Sequence, residues 1–193
     1  MDTTHHTRTG ATSPTGTTGT TDAAGTTSAA GTTGTASATW AEFEAAEPAL
    51  ARTVRQRFDD FTHHTLATLR KDGAPRTSGT EVQFVLGELF IGMMPDSLKA
   101  LDLRRDPRFA LQANQGPGTG MGGGDVRIGG RAVEVTDAEQ RAAYAKEVEP
   151  PEPFHLVRTG LTEVVRTSYD EKEKCLAIQV WKPGEPVRTL RRT

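Results

Sequence analysis

The stretch LFIGMMPDSLKALDLRRDPRFAL, Leu89–Leu111, changes rhythm twice within 23 residues. Leu89–Met94 has the apolar density of a strand. Pro95 bends the chain, and Asp96 or Ser97 can cap a helix over Leu98–Arg105. Asp106-Pro107 stops that helix, because the residue before a proline is pushed out of the helical region. From Phe109 the chain alternates again, with Phe109, Leu111 and Ala113 on one side, which predicts a strand over Phe109–Asn114. One short helix is therefore inserted between two strands.

Upstream, Trp40, Phe43, Leu50, Val54, Phe58 and Phe61 recur at helical intervals, and Pro48 suits a first helical turn. One or two helices are expected through about Phe61. Thr65–Arg70 is strand-like, Lys71-Asp72-Gly73-Ala74 is a turn, and Pro75–Leu86 alternates Val82, Phe84 and Leu86 with polar neighbours. Gly87-Glu88 turns the chain into Leu89–Met94. Downstream, Asp125–Val135 reads as a strand in which Gly129-Gly130 suggests a bulge. Thr136-x-x-Glu139 has the form of a capping box for a helix to about Val148, ended by Pro150, Pro151 and Pro153. Leu161–Ser168, Cys175–Trp181 and Val187–Arg191 predict three more strands, with Lys182-Pro183-Gly184 as a turn. Many hairpin-linked strands with helices inserted, and no regular strand–helix–strand alternation, give a mainly β class. The architecture expected is an antiparallel barrel rather than a doubly wound parallel sheet.

Gly116–Gly124, GPGTGMGGG, spells G-x-G-x-x-G through Gly118, Gly120 and Gly123. A dinucleotide loop needs a helix directly after the glycines, so that its N-terminus faces the pyrophosphate. Here the chain continues DVRIGGRAVEV, alternating and β-branched, which is a poor helix. The motif reads as a hairpin loop. A better anion site is the start of the Leu98–Arg105 helix. Its first backbone N–H groups have no partner within the helix, and the Ser97 hydroxyl and Lys99 ammonium lie in the same turn. The same residues also suit an ordinary capped surface helix with a solvated lysine.

HTLATLRKDGAPRTS (His64–Ser78), the Leu89–Leu111 stretch and VRIGGRAVEV (Val126–Val135) bear on this choice. In order and spacing they resemble the pyridoxamine 5′-phosphate oxidase-like superfamily, the flavin-binding split β-barrels, over about half of the chain. That resemblance implies an FMN-binding type of antiparallel split β-barrel over residues 40–193. It implies a homodimer with the cofactor at the interface. It also implies cofactor contacts from Arg76, Thr77 and Ser78, from Ile91, Gly92 and Met93 beside the ring, and from Ser97 and Lys99 on the phosphate. The implied activity is that of an oxidoreductase moving a hydride to or from a small organic substrate, with FMN or the deazaflavin coenzyme F-420. The alternative is a non-catalytic flavin or haem carrier or sensor on the same fold. Asp102 departs from the asparagine common at that position. It would oppose an anion if it faced the site, or it pairs with Arg105 or Arg108 on the surface. Trp181 and Arg188–Arg192 bear a faint likeness to the family's C-terminal Trp and Arg.

Composition narrows the rest. A net charge of −2 over 193 residues gives no bulk attraction to nucleic acid or an anionic membrane. No apolar run approaches the roughly 18 residues of a membrane helix, and no signal peptide is visible at the N-terminus. One cysteine, Cys175, excludes an internal disulfide framework, so a cytoplasmic location is expected. Residues 1–39 are almost entirely Thr, Gly, Ala and Ser, and are expected to be a disordered tail. Of His63 and His64, adjacent on a strand, one should be buried and the other exposed. His155 stands alone after the prolines. No metal-ligand spacing occurs. No acid–base dyad or nucleophile elbow is apparent, so no catalytic side chain is assigned, and a cofactor would carry the chemistry.

Overall fold

A computed structural model describes residues 36–116 and 124–193. Residues 1–35 of the expected tail and the centre of the glycine loop lie outside the described residues, whereas Ala38, at the expected tail's end, bridges to Leu161 and Thr39 caps α1. The elements are α1 (Trp40–Ala46), α2 (Pro48–Asp59), β1 (His64–Leu69), β2 (Pro75–Thr80), β3 (Gln83–Val85), β4 (Glu88–Met93), α3 (Leu98–Arg105), β5 (Arg108–Gln112), β6 (Asp125–Glu134), α4 (Ala138–Val148), β7 (His155–Asp170), β8 (Cys175–Trp181) and β9 (Arg188–Arg192). All strand pairings are antiparallel, in the order β2-β1-β5-β6-β7-β4-β3, with β8 on β7 and β9 on β8.

The two ends of this path, β2 and β3, are consecutive in the chain and joined only by Glu81 and Val82. The sheet must therefore curl until its ends meet, which makes an antiparallel barrel. The seam stays open because β2 pairs with β1 and β3 pairs with β4. The sequence reading had Pro75–Leu86 as one strand. The chain instead leaves one end of the sheet at Thr80 and joins the other at Gln83, a change of partner that alternation cannot reveal. β7 carries the second division. One of its edges pairs with β6 almost throughout, while the other is shared, with β4 on His155 to Arg158 and β8 on Val164 to Asp170.

One apolar core fills the barrel, with Leu66, Ile91, Leu111, Ile128 and Val164 from the strands and Trp40, Phe43, Val54 and Phe58 from α1 and α2. Pro48 stands at the first position of α2, as expected. Trp181 packs here, 4.5 Å from the Phe43 ring, as part of the core. A second cluster lies on the other face of β4, where Phe90, Tyr144, Phe154 and Leu156 close α4 against the sheet.

Local chemistry departs from the expected pattern in two caps. α4 is capped by Asp137, whose carboxylate accepts from Gln140 N–H at 2.8 Å, one residue later than the Thr136 box. A carboxylate there also meets the positive end of the helix dipole, which a hydroxyl cannot do. Ser97 occupies the N-cap position of α3, yet its side chain makes no capping bond. The bulge falls between Gly129 and Gly130, where it was expected. Gly130 is required: a Cβ there would collide with the Gly160 carbonyl and the Phe109 ring.

Candidate functional site

The seam between β2 and β4, closed at one end by the start of α3, gathers most of the expected site residues. Along β2, Arg76 and Ser78 point to one face and Thr77 to the other, because side chains alternate on a strand. α3 lies over the Arg76 and Ser78 face. Its lysine, Lys99, donates from Nζ to the Gly79 carbonyl at 2.7 Å. The strand residue next to Ser78 and the helix residue two after Ser97 are thus tied together.

Two hydroxyls at this junction are left over. Ser78 Oγ and Ser97 Oγ are buried and have no hydrogen-bond partner. A buried hydroxyl without a partner costs about 1–3 kcal/mol, so these two, one on the neighbour of Gly79 and the other two residues before Lys99, make a candidate polar cradle. Burial lowers the Lys99 ammonium from its ordinary pKa, opposed by the Glu81 carboxylate. No carboxylate lies within ion-pair distance of Lys99 among the described residues. Desolvated charge, free hydroxyls and the first N–H groups of α3 are the donor set that a phosphate requires. The residues present fit such a group.

Asp102 is neither an obstacle at this site nor a surface residue. Only 3% exposed, it accepts from Arg76 Nε at 2.7 Å, Thr68 Oγ1 at 2.9 Å and Arg105 Nη2 at 3.0 Å. Burial pushes its carboxyl up, and the bonds from Arg76, Arg105 and Thr68 together outweigh that and hold it below the usual carboxylate range. It therefore orients Arg76. The two terminal nitrogens of Arg76 make no hydrogen bond among the described residues. Arg108 is committed elsewhere, to Asp106 at 2.6 Å.

β4 supplies the wall of the seam. Ile91 and Met93 bury their side chains in the barrel core, so only their backbone can face a ligand. The edge of β4 is covered by β3 from Glu88 to Phe90 alone, and beyond that no strand pairs with this side among the described residues. Gly92 faces the opposite way from Ile91 and Met93. A Cβ there would stand 3.2 Å from the Tyr144 hydroxyl, a close approach that favours glycine.

Several neighbouring residues had no signal in the sequence. Arg57, buried on α2, donates to the carbonyls of Gly124 at 3.1 Å and Asn114 at 3.2 Å, and its Nη1 lies 2.6 Å from Asp60. It pins both ends of the glycine loop. His155 is 4% exposed and opens β7 opposite Met93. The expectation for the paired histidines holds: His64 is buried and accepts on Nδ1 from Asn114 N–H at 3.2 Å, while the His63 side chain is 76% exposed. Cys175 is buried and free, as expected. No group of three metal-binding side chains occurs among the described residues, and no described helix is long and apolar enough to cross a membrane.

The family model described as pyridoxamine 5′-phosphate oxidase matches residues 50–165. Among solved structures, the chain is similar to PhzG from Burkholderia lata 383, a complex with tetrahydrophenazine-1-carboxylic acid. The TM-score is 0.53 at 15% identity, over 78% of this chain and 91% of that one. It is also similar to Campylobacter jejuni ChuZ, with a TM-score of 0.53 at 13% identity, over 71% of this chain and 61% of that one. At such identities the likeness is one of fold. No curated protein matches the chain.

Proposed function

The chain belongs to the pyridoxamine 5′-phosphate oxidase family, and from that premise we propose that it is a flavin-type oxidoreductase, moving a hydride to or from a small organic substrate. The observation that carries this reading is the pair of buried, unpartnered hydroxyls, Ser78 and Ser97, beside the half-buried Lys99 ammonium. FMN is the first choice of cofactor and the deazaflavin coenzyme F-420 the second, since each bears a phosphate. Such a cofactor supplies, when bound, hydride chemistry that no side chain offers.

The protein's part is binding and orientation. Ser78, Ser97 and the α3 N–H groups would hold the phosphate, with Lys99 offsetting its charge. Arg76, aimed by Asp102, would contribute its terminal nitrogens. Thr77 lies on the outer face of β2 and would take part through its backbone. The backbone of Ile91, Gly92 and Met93 would border the ring. Met94, Leu98 and Leu101 expose apolar side chains beside the cradle, 76%, 60% and 42% accessible. Their exposure supports a homodimer in which a second copy covers this side of the seam.

The test is an absorbance spectrum and mass spectrum of the purified protein, followed by titration with FMN, deazaflavin and haem. A bound flavin, or a thermal shift with one of the first two, is expected. Saturation at a hundredfold excess over Kd adds about 2.7 kcal/mol to stability. Colourless protein unmoved by all three ligands would overturn the reading. FMN binding without reduction by any electron donor would favour a carrier or sensor instead.

A further inference from the structure

Away from the cradle, at the far side of α3, one buried histidine has a ring nitrogen with nothing to bond. His155 Nε2 is buried without a partner. Its Nδ1 lies 3.1 Å from Arg104 Nη2 and 3.3 Å from Glu134 Oε1. Arg104 can only donate and Glu134 can only accept, so Nδ1 meets Arg104 as an acceptor when the neutral ring carries its proton on Nε2, and meets Glu134 as a donor when Nδ1 is protonated. Arg104 in turn holds Glu134 at 3.0 Å and reaches Asp96 at 3.8 Å. Helical side chains lean toward the N-terminus, which is how an arginine near the end of α3 meets a residue just before its start. Asp96 takes a left-handed φ of 57° immediately before Ser97.

These contacts tie the barrel to α3: His155 on β7 and Glu134 at the end of β6 hold Arg104 on the helix that Ser97 opens, and Arg104 Nη1 lies 3.8 Å from the exposed Asp96 carboxylate in the turn before it. We propose that His155 is a positioning residue, which in its neutral form holds Arg104 and through it the Asp96–Ser97 turn in the geometry that binds a cofactor phosphate. This inference rests on the reading of Ser97 and Lys99 as the phosphate cradle. The charged groups facing the ring are Arg104 from α3, Glu134 from β6, Asp96 from the turn and Arg141 from α4. Protonating Nδ1 removes the acceptor that Arg104 uses and places a second cation against the guanidinium. Glu134 is then shared between two cations, and the hold on α3 weakens. Burial, which opposes the charged ring, keeps His155 below the ordinary histidine pKa; Glu134 raises it, while Arg104 and Arg141 lower it. The neutral form therefore prevails at neutral pH.

The direction of the effect is diagnostic. A histidine acting on a phosphate by charge alone would bind it more tightly when protonated. A histidine acting through Arg104 would bind it less tightly. The experiment titrates FMN into the wild-type protein and His155→Asn between pH 7.5 and 5.5, with amide hydrogen exchange of the FMN-free proteins in parallel. Asparagine keeps an acceptor near the position of Nδ1 and does not titrate, and the titration of FMN's own phosphate is common to both proteins. Wild-type affinity is expected to fall several-fold more than that of His155→Asn on acidification. The α3 amides should exchange faster at low pH in the wild type alone. Parallel pH profiles in the two proteins, in both affinity and exchange, would overturn the proposal. Exchange that follows His155 in a wild-type protein that binds neither FMN nor deazaflavin would leave the latch standing and remove the cofactor reading. Should His155→Asn fail to fold, pH-dependent exchange of the α3 amides in the wild type decides: its absence sinks the latch.

Discussion

Arg76 Nε stands 2.7 Å from Asp102 Oδ2, across the boundary between β2 and α3, with the carboxylate almost fully buried. This ion pair joins the strand that carries Ser78 to the helix that begins at Ser97. Removing one partner of a buried pair leaves the other uncompensated and costs about 3–5 kcal/mol. Because the Arg76 side chain is still 21% exposed, Asp102→Asn should cost somewhat less, about 2–3 kcal/mol, measured by urea unfolding. The carboxyl is depressed in the folded state, so its contribution is present above its unfolded value near 3.9. It is lost as pH falls through the folded value below that. The wild type should lose stability over that acid range more steeply than Asp102→Asn.

Ser97→Ala and Lys99→Ala should separate stability from binding. The Ser97 hydroxyl has no partner to lose, so the alanine variant should unfold at the same or a slightly higher denaturant concentration in the absence of cofactor. Its FMN affinity should fall by about tenfold, the loss of one charge-assisted hydrogen bond. Lys99→Ala removes a charge as well and should weaken FMN binding by about tenfold to a hundredfold. Fluorescence titration with FMN checks both, and an unchanged affinity in Lys99→Ala would take the lysine off the site.

Arg57→Met should destabilise without touching the cradle. The guanidinium satisfies carbonyls of Asn114 and Gly124 and pairs with Asp60. Methionine fills the volume and leaves those acceptors without their donor, at a cost of about 2–4 kcal/mol. Chemical denaturation gives the cost. FMN affinity of the folded variant should stay within about twofold of the wild type, a difference of roughly 0.4 kcal/mol.

The two neighbouring glycines of the bulge should respond very differently to alanine. A Cβ at Gly129 would meet only ordinary contacts, the nearest at 3.8 Å. At Gly130 it would strike the Gly160 backbone and the Phe109 ring. Gly130→Ala should therefore cost about 1–3 kcal/mol, as overpacking does, and Gly129→Ala much less. Equal midpoints in thermal unfolding would contradict the packing described at the bulge.

His64 should give the protein a pH-dependent stability near neutrality. Burial, with the neighbouring His63, keeps its ring below the ordinary histidine pKa, and Nδ1 must stay unprotonated to accept from Asn114. The folded state thus binds fewer protons than the unfolded chain. Stability is fully present above about pH 6.5, the unfolded value, and declines as pH falls toward the folded value. His64→Asn should show a shallower decline in unfolding free energy between pH 7.5 and 5.5. Identical slopes would show that His64 does not titrate in that range.

The residues that made the site legible were those whose chemistry is local. A proline, a serine and a lysine around the start of α3 marked a candidate anion site because a helix end has unpaired N–H groups whatever surrounds it. The alternation of β5 and β6 was visible because one face of each strand must be apolar to reach a core. Asp102 was misread because its spacing to Arg105 was apparent while its burial against Thr68 and Arg76 was not. His155 offered no pattern at all: its partners are Arg104 on α3, 51 residues away in the chain, and Glu134 on β6.

From its amino acids alone, this chain was bound to make hairpin-linked strands, a capped helix after Pro95 and a bulge at two glycines, since each depends on neighbours a few residues apart. The tertiary structure decided what those elements do together. It moved the chain between the two ends of the sheet at Glu81 and Val82. It also turned Asp102 inward to hold Arg76, and left two serines from different elements buried without partners beside one lysine. Such outcomes depend on which distant groups share a desolvated space, and local sequence carries no record of that.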